Sequence, residues 1–401
     1  MSEAGGRTPL VQNRRFMRLW AGQSISFIGD AVTLVALVVF VADLTGSAAS
    51  VGGILVARLL PTLASPLVGV LADRLRDRRR LLVSVDLARA GIITSVVFVD
   101  NVTLLYPLVF ALGICQTLFN PTIRSAFPGV IAGGDITRAN ALISGSFSFS
   151  IALGPALGGG LIALVGVDVA FILDALTFVV SAAFLAFVPM PSDRNPDGEE
   201  GFLTELRAGL LYLAEARLPL GLVLGALLLV LAENSTVPAE AFLARETFDA
   251  GNAGYGLLVA AYGVGMISGS ALMAVLGDRV NLVFAYFASI AVACSALAFV
   301  GLSPLFTLVL AAMCLAGTCN GVDNVATDAL LQKKVPGAFL GRVYSVLFLF
   351  RSTGEVVALA AGGFIVAAVG PQPSYLIAAG AMAAFGILVL AVVRPGAKNT
   401  G

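Results

Sequence analysis

Asp30, Arg58, Glu233, Arg351 and Glu355 each sit inside a long apolar run, where a charge needs a purpose or a partner. A charged side chain in hydrocarbon costs ~2.5–3.5 kcal/mol on insertion scales, so its persistence points to function or pairing. Asp30, in SFIGDAV, and Arg58, in LVARLLP, fall at matching depths of neighbouring runs. They form either a titrating acid tuned by an arginine or a fixed ion pair, because a nearby Arg holds an Asp ionised. Glu233, followed by Asn234, has no basic neighbour in sequence and suits a carboxyl that loads and releases a proton. Arg351 and Glu355 are four apart and so share one helical face. They either neutralise each other, or leave Arg351 to meet an acid elsewhere or an anionic substrate group. Asp174, in LDALTF, is a weaker candidate, and Glu240, beyond Pro238, is expected in solvent. The proton-coupling candidates are therefore Asp30, Glu233 and Glu355. Arg58, Asn234 and Arg351 are expected to line a substrate cavity, with Phe147, Phe149 and Phe348 as its apolar wall.

The elements that must carry these groups follow from composition. Hydrophobic residues make up 58% of the chain and charged ones 12%, about half the share of an ordinary globular domain. The 24 basic and 24 acidic residues balance, which leaves no electrostatic footprint for nucleic acid. With no His, an imidazole relay or a His metal site is excluded, and proton chemistry falls to carboxyl groups. Cys115, Cys294, Cys314 and Cys319 lie in apolar runs and read as small buried hydrophobes. No Walker-type loop, zinc spacing or nucleophile elbow occurs, so an ATP-driven pump, a metal enzyme and a membrane hydrolase lack their parts. No cofactor is expected, and the energy source would be a proton gradient.

A spanning helix needs ~20 mostly apolar residues. Twelve such spans are expected near 16–43, 49–72, 81–99, 104–127, 138–163, 168–189, 219–243, 253–276, 282–301, 305–331, 340–368 and 373–393. The opening stretch, with Arg14, Arg15 and Arg18 before Trp20, reads as a retained cytoplasmic anchor rather than a signal peptide. Alternating from a cytoplasmic N-terminus puts 20 of the 24 basic residues inside and only Arg245 outside, with Arg58, Arg89 and Arg351 within spans. That asymmetry is the positive-inside signature. A multi-pass protein of a bacterial plasma membrane, with both termini cytoplasmic, is expected. The polar interruption at 190–218 contains the amphipathic stretch FLTELRAGLLYLAEARL and reads as a linker with a helix at the membrane surface.

A shift of 204 residues maps Gly113 to Gly317, Cys115 to Cys319, Asn120 to Asn324 and Arg138 to Arg342. It also maps Gly158, Gly159 and Gly166 to Gly362, Gly363 and Gly370, and Asp30 to Asn234. A shift of six spans implies two parallel, pseudo-symmetric six-helix bundles, residues 1–189 and 219–401, joined by the linker.

The string GVLADRLRDRRR at 69–80 resembles the loop between the second and third helices of the major facilitator superfamily. Gly69, Asp73, Arg74 and Arg78 to Arg80 stand at the matching places. Gly154, Pro155, Gly158 and Gly159 resemble the antiporter motif of the family's fifth helix, with Ser150 in place of a glycine. Those glycines also suit close helix packing by themselves. NRRFMRLWAGQSISFIGDAV and LGRVYSVL look most like the bacterial drug- and siderophore-exporting branch, of macrolide-efflux and enterobactin-exporter type. The resemblance implies an all-α membrane protein of twelve helices, not an enzyme. It further implies a monomer that exports hydrophobic or amphipathic small molecules against protons by alternating access. Asp73, Arg74, Asp86, Arg89, Arg124 and Asp328 would form a cytoplasmic gate, with Asp323 near them. A lipid or metabolite carrier, or a receptor on the same fold, is the alternative.

Overall fold

Hydrocarbon offers no partners to backbone N–H and C=O groups, so a chain this apolar must satisfy them within helices. The computed structural model describes residues 13–65, 77–130, 136–189 and 202–393, and it is helical nearly throughout. Asp73 and Arg74, and the side chain of Arg124, lie outside what is described, so the gate assigned to them has no structural account.

The helices are α1 (Arg14–Thr45), α2 (Ala48–Leu59), α3 (Arg78–Val96), α4 (Val102–Val130), α5 (Ile136–Val165) and α6 (Val167–Ala186). They continue as α7 (Phe202–Glu215), α8 (Arg217–Asn234), α9 (Val237–Phe242) and α10 (Gly251–Leu276). The series ends with α11 (Leu282–Leu302), α12 (Phe306–Lys334), α13 (Gly337–Val369) and α14 (Pro371–Val393). A 3₁₀ turn, Leu60–Ala64, prolongs α2, and a π turn, Leu243–Thr247, prolongs α9. Among the described residues, ten helical segments are long and apolar enough to cross a membrane. Two of the twelve expected spans fall short of that test for clear reasons. The second is described only as Ala48–Ala64. The third, α3, carries Arg78, Arg79, Arg80, Asp86 and Arg89 along 19 residues.

The chain divides into two compact units. Unit 1 comprises residues 1–40 and 57–197, and unit 2 comprises 41–56 and 198–401. The tip of the first hairpin thus groups with the second unit. There Asp43 pairs with Arg245, and the missing side chains of Gly52 and Gly363 allow close backbone packing with Leu359 and Ala48. The stretch read as a surface helix forms α7, and it docks on α13 instead of only tethering. Tyr212 stacks on Phe339 at 4.8 Å, and Gly209 lies against the backbone of Arg342.

The internal repeat reappears as geometry. Gly166 and Gly370, one shift apart, both turn the chain at φ +87°, a left-handed value that glycine adopts without strain. In unit 2, α10 and α12 cross backbone to backbone. Gly265 and Gly269 on α10, and Gly317 and Gly321 on α12, have no room for a methyl, because each faces backbone of the other helix. Paired small residues four apart let helices approach closely in lipid. The crossing brings Tyr262 of α10 beside Asn320 of α12.

Gly317→Val should destabilise the protein by about 1–3 kcal/mol, the usual cost of overpacking. Gly91→Ala, at a position with open space around it, should be nearly silent. Thermal unfolding of the two variants in detergent checks the difference.

Candidate functional site

In unit 1 the cluster is built around α1. Gly29 has no side chain, so α6 brings Asp174 and Thr177 directly against it. Gly154 and Gly158 of α5 likewise lie against Ala31 and Val32, and Gly113 of α4 against the carbonyl of Arg58. The motif glycines of the fifth span therefore pack the helix that carries Asp30. Arg58 Nη2 lies 3.5 Å from Asp30 Oδ1, which realises the expected pair. Arg58 Nη1 is buried without a hydrogen-bond partner among the described residues.

Asp174, ranked low from sequence, is 1% exposed and central to this cluster. Its carboxylate accepts hydrogen bonds from Thr33 at 2.5 Å and Thr177 at 3.0 Å. Asp86 and Arg89 pair on α3, as their spacing of three allows. Arg89 lies 3.5 Å from Asp86 and is held over the rings of Phe119 and Phe178, at 4.5 and 5.4 Å to their centroids. A guanidinium desolvated between two aromatic faces gains cation–π attraction. Arg89 lines the same cavity as Asp30, Arg58, Asp174 and Gln116, within one bundle, so its partners are internal to unit 1. That cavity measures about 10 Å³, the space of about one water molecule.

Unit 2 has a larger cavity, about 220 Å³, lined by Glu233, Asn234, Tyr262, Asn320, Asp323, Asn324 and Arg351 among others. One Glu233 oxygen accepts from Asn320 Nδ2 at 2.7 Å and from the Tyr262 hydroxyl at 3.2 Å. Asn324 Nδ2 in turn donates to Asn320 Oδ1 at 2.8 Å, which fixes the Asn320 amide. Asn234 donates to the carbonyl of Val230 at 3.1 Å. Asp323 was assigned near the gate, yet it lines this cavity, with Oδ1 buried and unpartnered among the described residues. Arg351 Nε is in the same condition.

Other expectations separate. Arg351 and Glu355 form no ion pair; Arg351 turns to the cavity, and Glu355 is only half-buried. Glu240, expected in solvent, is 8% exposed. Asp328 offers its backbone carbonyl to the hydroxyl of Tyr344 at 3.5 Å. Phe147, Phe149 and Phe348 are each about half exposed and line neither cavity. Phe147 instead packs edge-on against Phe27 at 5.3 Å.

Tyr262, Asn320, Gln116 and Thr33 were missed by sequence reasoning, although a signal for three of them was present. The 204-residue shift carries Arg58 to Tyr262 and Gln116 to Asn320, as it carries Asp30 to Asn234. It also pairs Gly113, packed on the Arg58 carbonyl, with Gly317, packed on the Tyr262 carbonyl. The two cavities therefore occupy equivalent places in the two copies, with their charges redistributed.

The chain is similar to macrolide efflux protein A of Streptococcus pyogenes, 24% identical over 356 residues that cover 86% of each chain. It is also similar to the enterobactin exporter EntS of Escherichia coli, 25% identical over 332 residues, covering 81% of this chain and 77% of the relative. Among solved structures, a bacterial homologue of the iron transporter ferroportin superposes with a TM-score of 0.74 at 14% identity, covering 96% of this chain and all of the other. That likeness concerns the fold alone. The model of the transmembrane secretion effector family matches residues 4–399, and the chain belongs to that family: it is a multi-pass membrane transporter of the major facilitator type, not an enzyme.

Proposed function

We propose that this protein is a proton-coupled exporter of hydrophobic or amphipathic small molecules, an antiporter that works by alternating access in a bacterial plasma membrane. One observation carries the reading. The unit 2 cavity sets two carboxyl groups, Glu233 and Asp323, against a single guanidinium, Arg351. An uncompensated charge at such a depth is expensive, so the cavity favours taking up one positive charge. A proton on either acid supplies it, and a bound cationic or hydrogen-bonding group can displace that proton. In unit 1 the Asp30–Arg58 pair gives the same choice, because Arg58 also lies within electrostatic reach of Asp174. The exporting direction is supported by the relatives named for macrolide efflux and enterobactin export, and by the glycines of α5 packed on α1. Both termini in the cytoplasm agrees with the basic residues of the loops.

Purified protein in proteoliposomes with an imposed pH gradient, offered erythromycin, a catechol siderophore and ethidium, tests the reading. Gradient-driven flux should fall by about tenfold or more in Glu233→Gln and Asp30→Asn, the scale of a typical coupling free energy. Gradient-driven flux untouched by either substitution would exclude the coupling role, and transport indifferent to the gradient would make the protein a facilitator. A second measurement separates pairing from coupling in unit 1. Arg58→Gln should cost about 1–3 kcal/mol, between the exposed and buried cases, by leaving the partly buried Asp30 unpaired, and adding Asp30→Asn should recover most of the loss in thermal unfolding.

A further inference from the structure

Two groups that line the unit 2 cavity leave it chemically unfinished. Asp323, on α12, is 8% exposed, and its Oδ1 has no hydrogen-bond partner among the described residues. Arg351, on α13, has a buried Nε in the same condition. Both side chains line one cavity of about 220 Å³, yet among the described residues they form no ion pair with each other. A buried polar group without a partner is costly, so this space suits a guest that offers a donor to one and an acceptor to the other. Glu233 differs from both, since one of its oxygens is already engaged by Asn320 and Tyr262.

The lining also has an apolar side. Ala226, Leu229, Val230 and Glu233 fall on one face of α8, so a single stripe runs from hydrocarbon side chains to the acid. Asn320, Asp323 and Asn324 share a face of α12 in the same way. Charge narrows the guest further. Glu233 and Asp323 stand against Arg351, so a guest with one positive charge balances the cavity, and an anionic group on the same guest would undo that balance. A bare metal ion would leave most of the space to water and bring Arg351 no acceptor.

We infer that the unit 2 cavity binds a protonated amine that carries a neutral oxygen close by, as an amino alcohol does. The ammonium donates to the Asp323 carboxylate, the oxygen accepts from the Arg351 guanidinium, and the apolar body lies along the α8 stripe. Asp323 is then the acid at which guest and proton exclude each other, while Glu233, held by its amide and phenol, supplies the second negative charge. The inference names a substrate class for this site and rests on the coupling proposed above. Glu233 from α8, Tyr262 from α10 and Arg351 from α13 share the cavity with Asp323. Tyr286 from α11 and Asp328 of α12 lie within electrostatic reach of it.

Ligand-observed NMR titration of the full chain in lipid nanodiscs tests the site with matched probes. They are phenylethanolamine, phenethylamine, which lacks the hydroxyl, and α-methylbenzyl alcohol, which lacks the amine. Phenylethanolamine should bind about tenfold more tightly than phenethylamine, the scale of one hydrogen bond to a charged group, and the alcohol more weakly than either. Once Asp323 begins to protonate, phenylethanolamine affinity should fall by about tenfold per unit of acidification, the slope of one exchanged proton. Asp323→Asn should weaken both amines and flatten that slope, and Arg351→Met should bring phenylethanolamine down to the level of phenethylamine. The probe series on the unaltered protein does not depend on how the variants fold. Equal affinity for the amino alcohol and the alcohol overturns the amine site, and equal affinity for the two amines overturns the part given to Arg351. If the probes fail in either way while gradient-driven flux still depends on Glu233, the site falls and the coupling stands. Probes that bind in the expected order, with affinities indifferent to pH, keep the site and overturn the coupling.

Discussion

The polar groups described in this protein's interior answer to the cost of placing a carboxylate where water is scarce. Asp174 meets that cost with two threonine hydroxyls, and Asp30 with an arginine 3.5 Å away. Glu233 meets it with an amide and a phenol. These solutions differ in strength. Both kinds of partner favour the charged form of an acid, a guanidinium more strongly than neutral hydrogen-bond donors. The fold distributes the two kinds unequally between its copies, with arginines gathered in the first and amides in the second.

Glycine makes those solutions possible. A hydrogen bond of 2.7 Å between α8 and α12 needs helix axes close enough for short side chains to meet, and lipid supplies no hydrophobic drive to bring them together. The backbone-to-backbone crossing of α10 and α12 sets Tyr262 beside Asn320, where both reach Glu233, and Gly29 brings α6 close at Asp174. Packing and chemistry are therefore the same problem in this chain: the residues that close the bundles also set the reach of the polar groups.

The architecture was legible before any coordinates, because hydropathy, loop charge and a single repeat offset all agree on it. So was the pairing of Asp30 with Arg58, since equal depth on neighbouring spans leaves few alternatives. The neighbours of Glu233 were not, because Tyr262 and Asn320 come from helices distant in sequence and carry no charge to draw notice. The places of Arg89 and Asp323 beside the two cavities were not legible for a related reason. Depth along a helix can be counted from its ends, but the face a residue presents depends on rotation, which polar residues on a nearly uniform apolar helix do not specify. The repeat held the missing information, since shifting Arg58 and Gln116 by 204 residues lands on Tyr262 and Asn320.

The unequal volumes of the two cavities bear on what each copy can accommodate. About 10 Å³ in the first copy leaves no slack: a larger side chain there must displace a neighbour, and a smaller one strands an ion. About 220 Å³ in the second leaves open space beside Glu233, Asp323 and Arg351. The two copies of the bundle thus differ in the room their polar groups leave, closed in the first and open in the second.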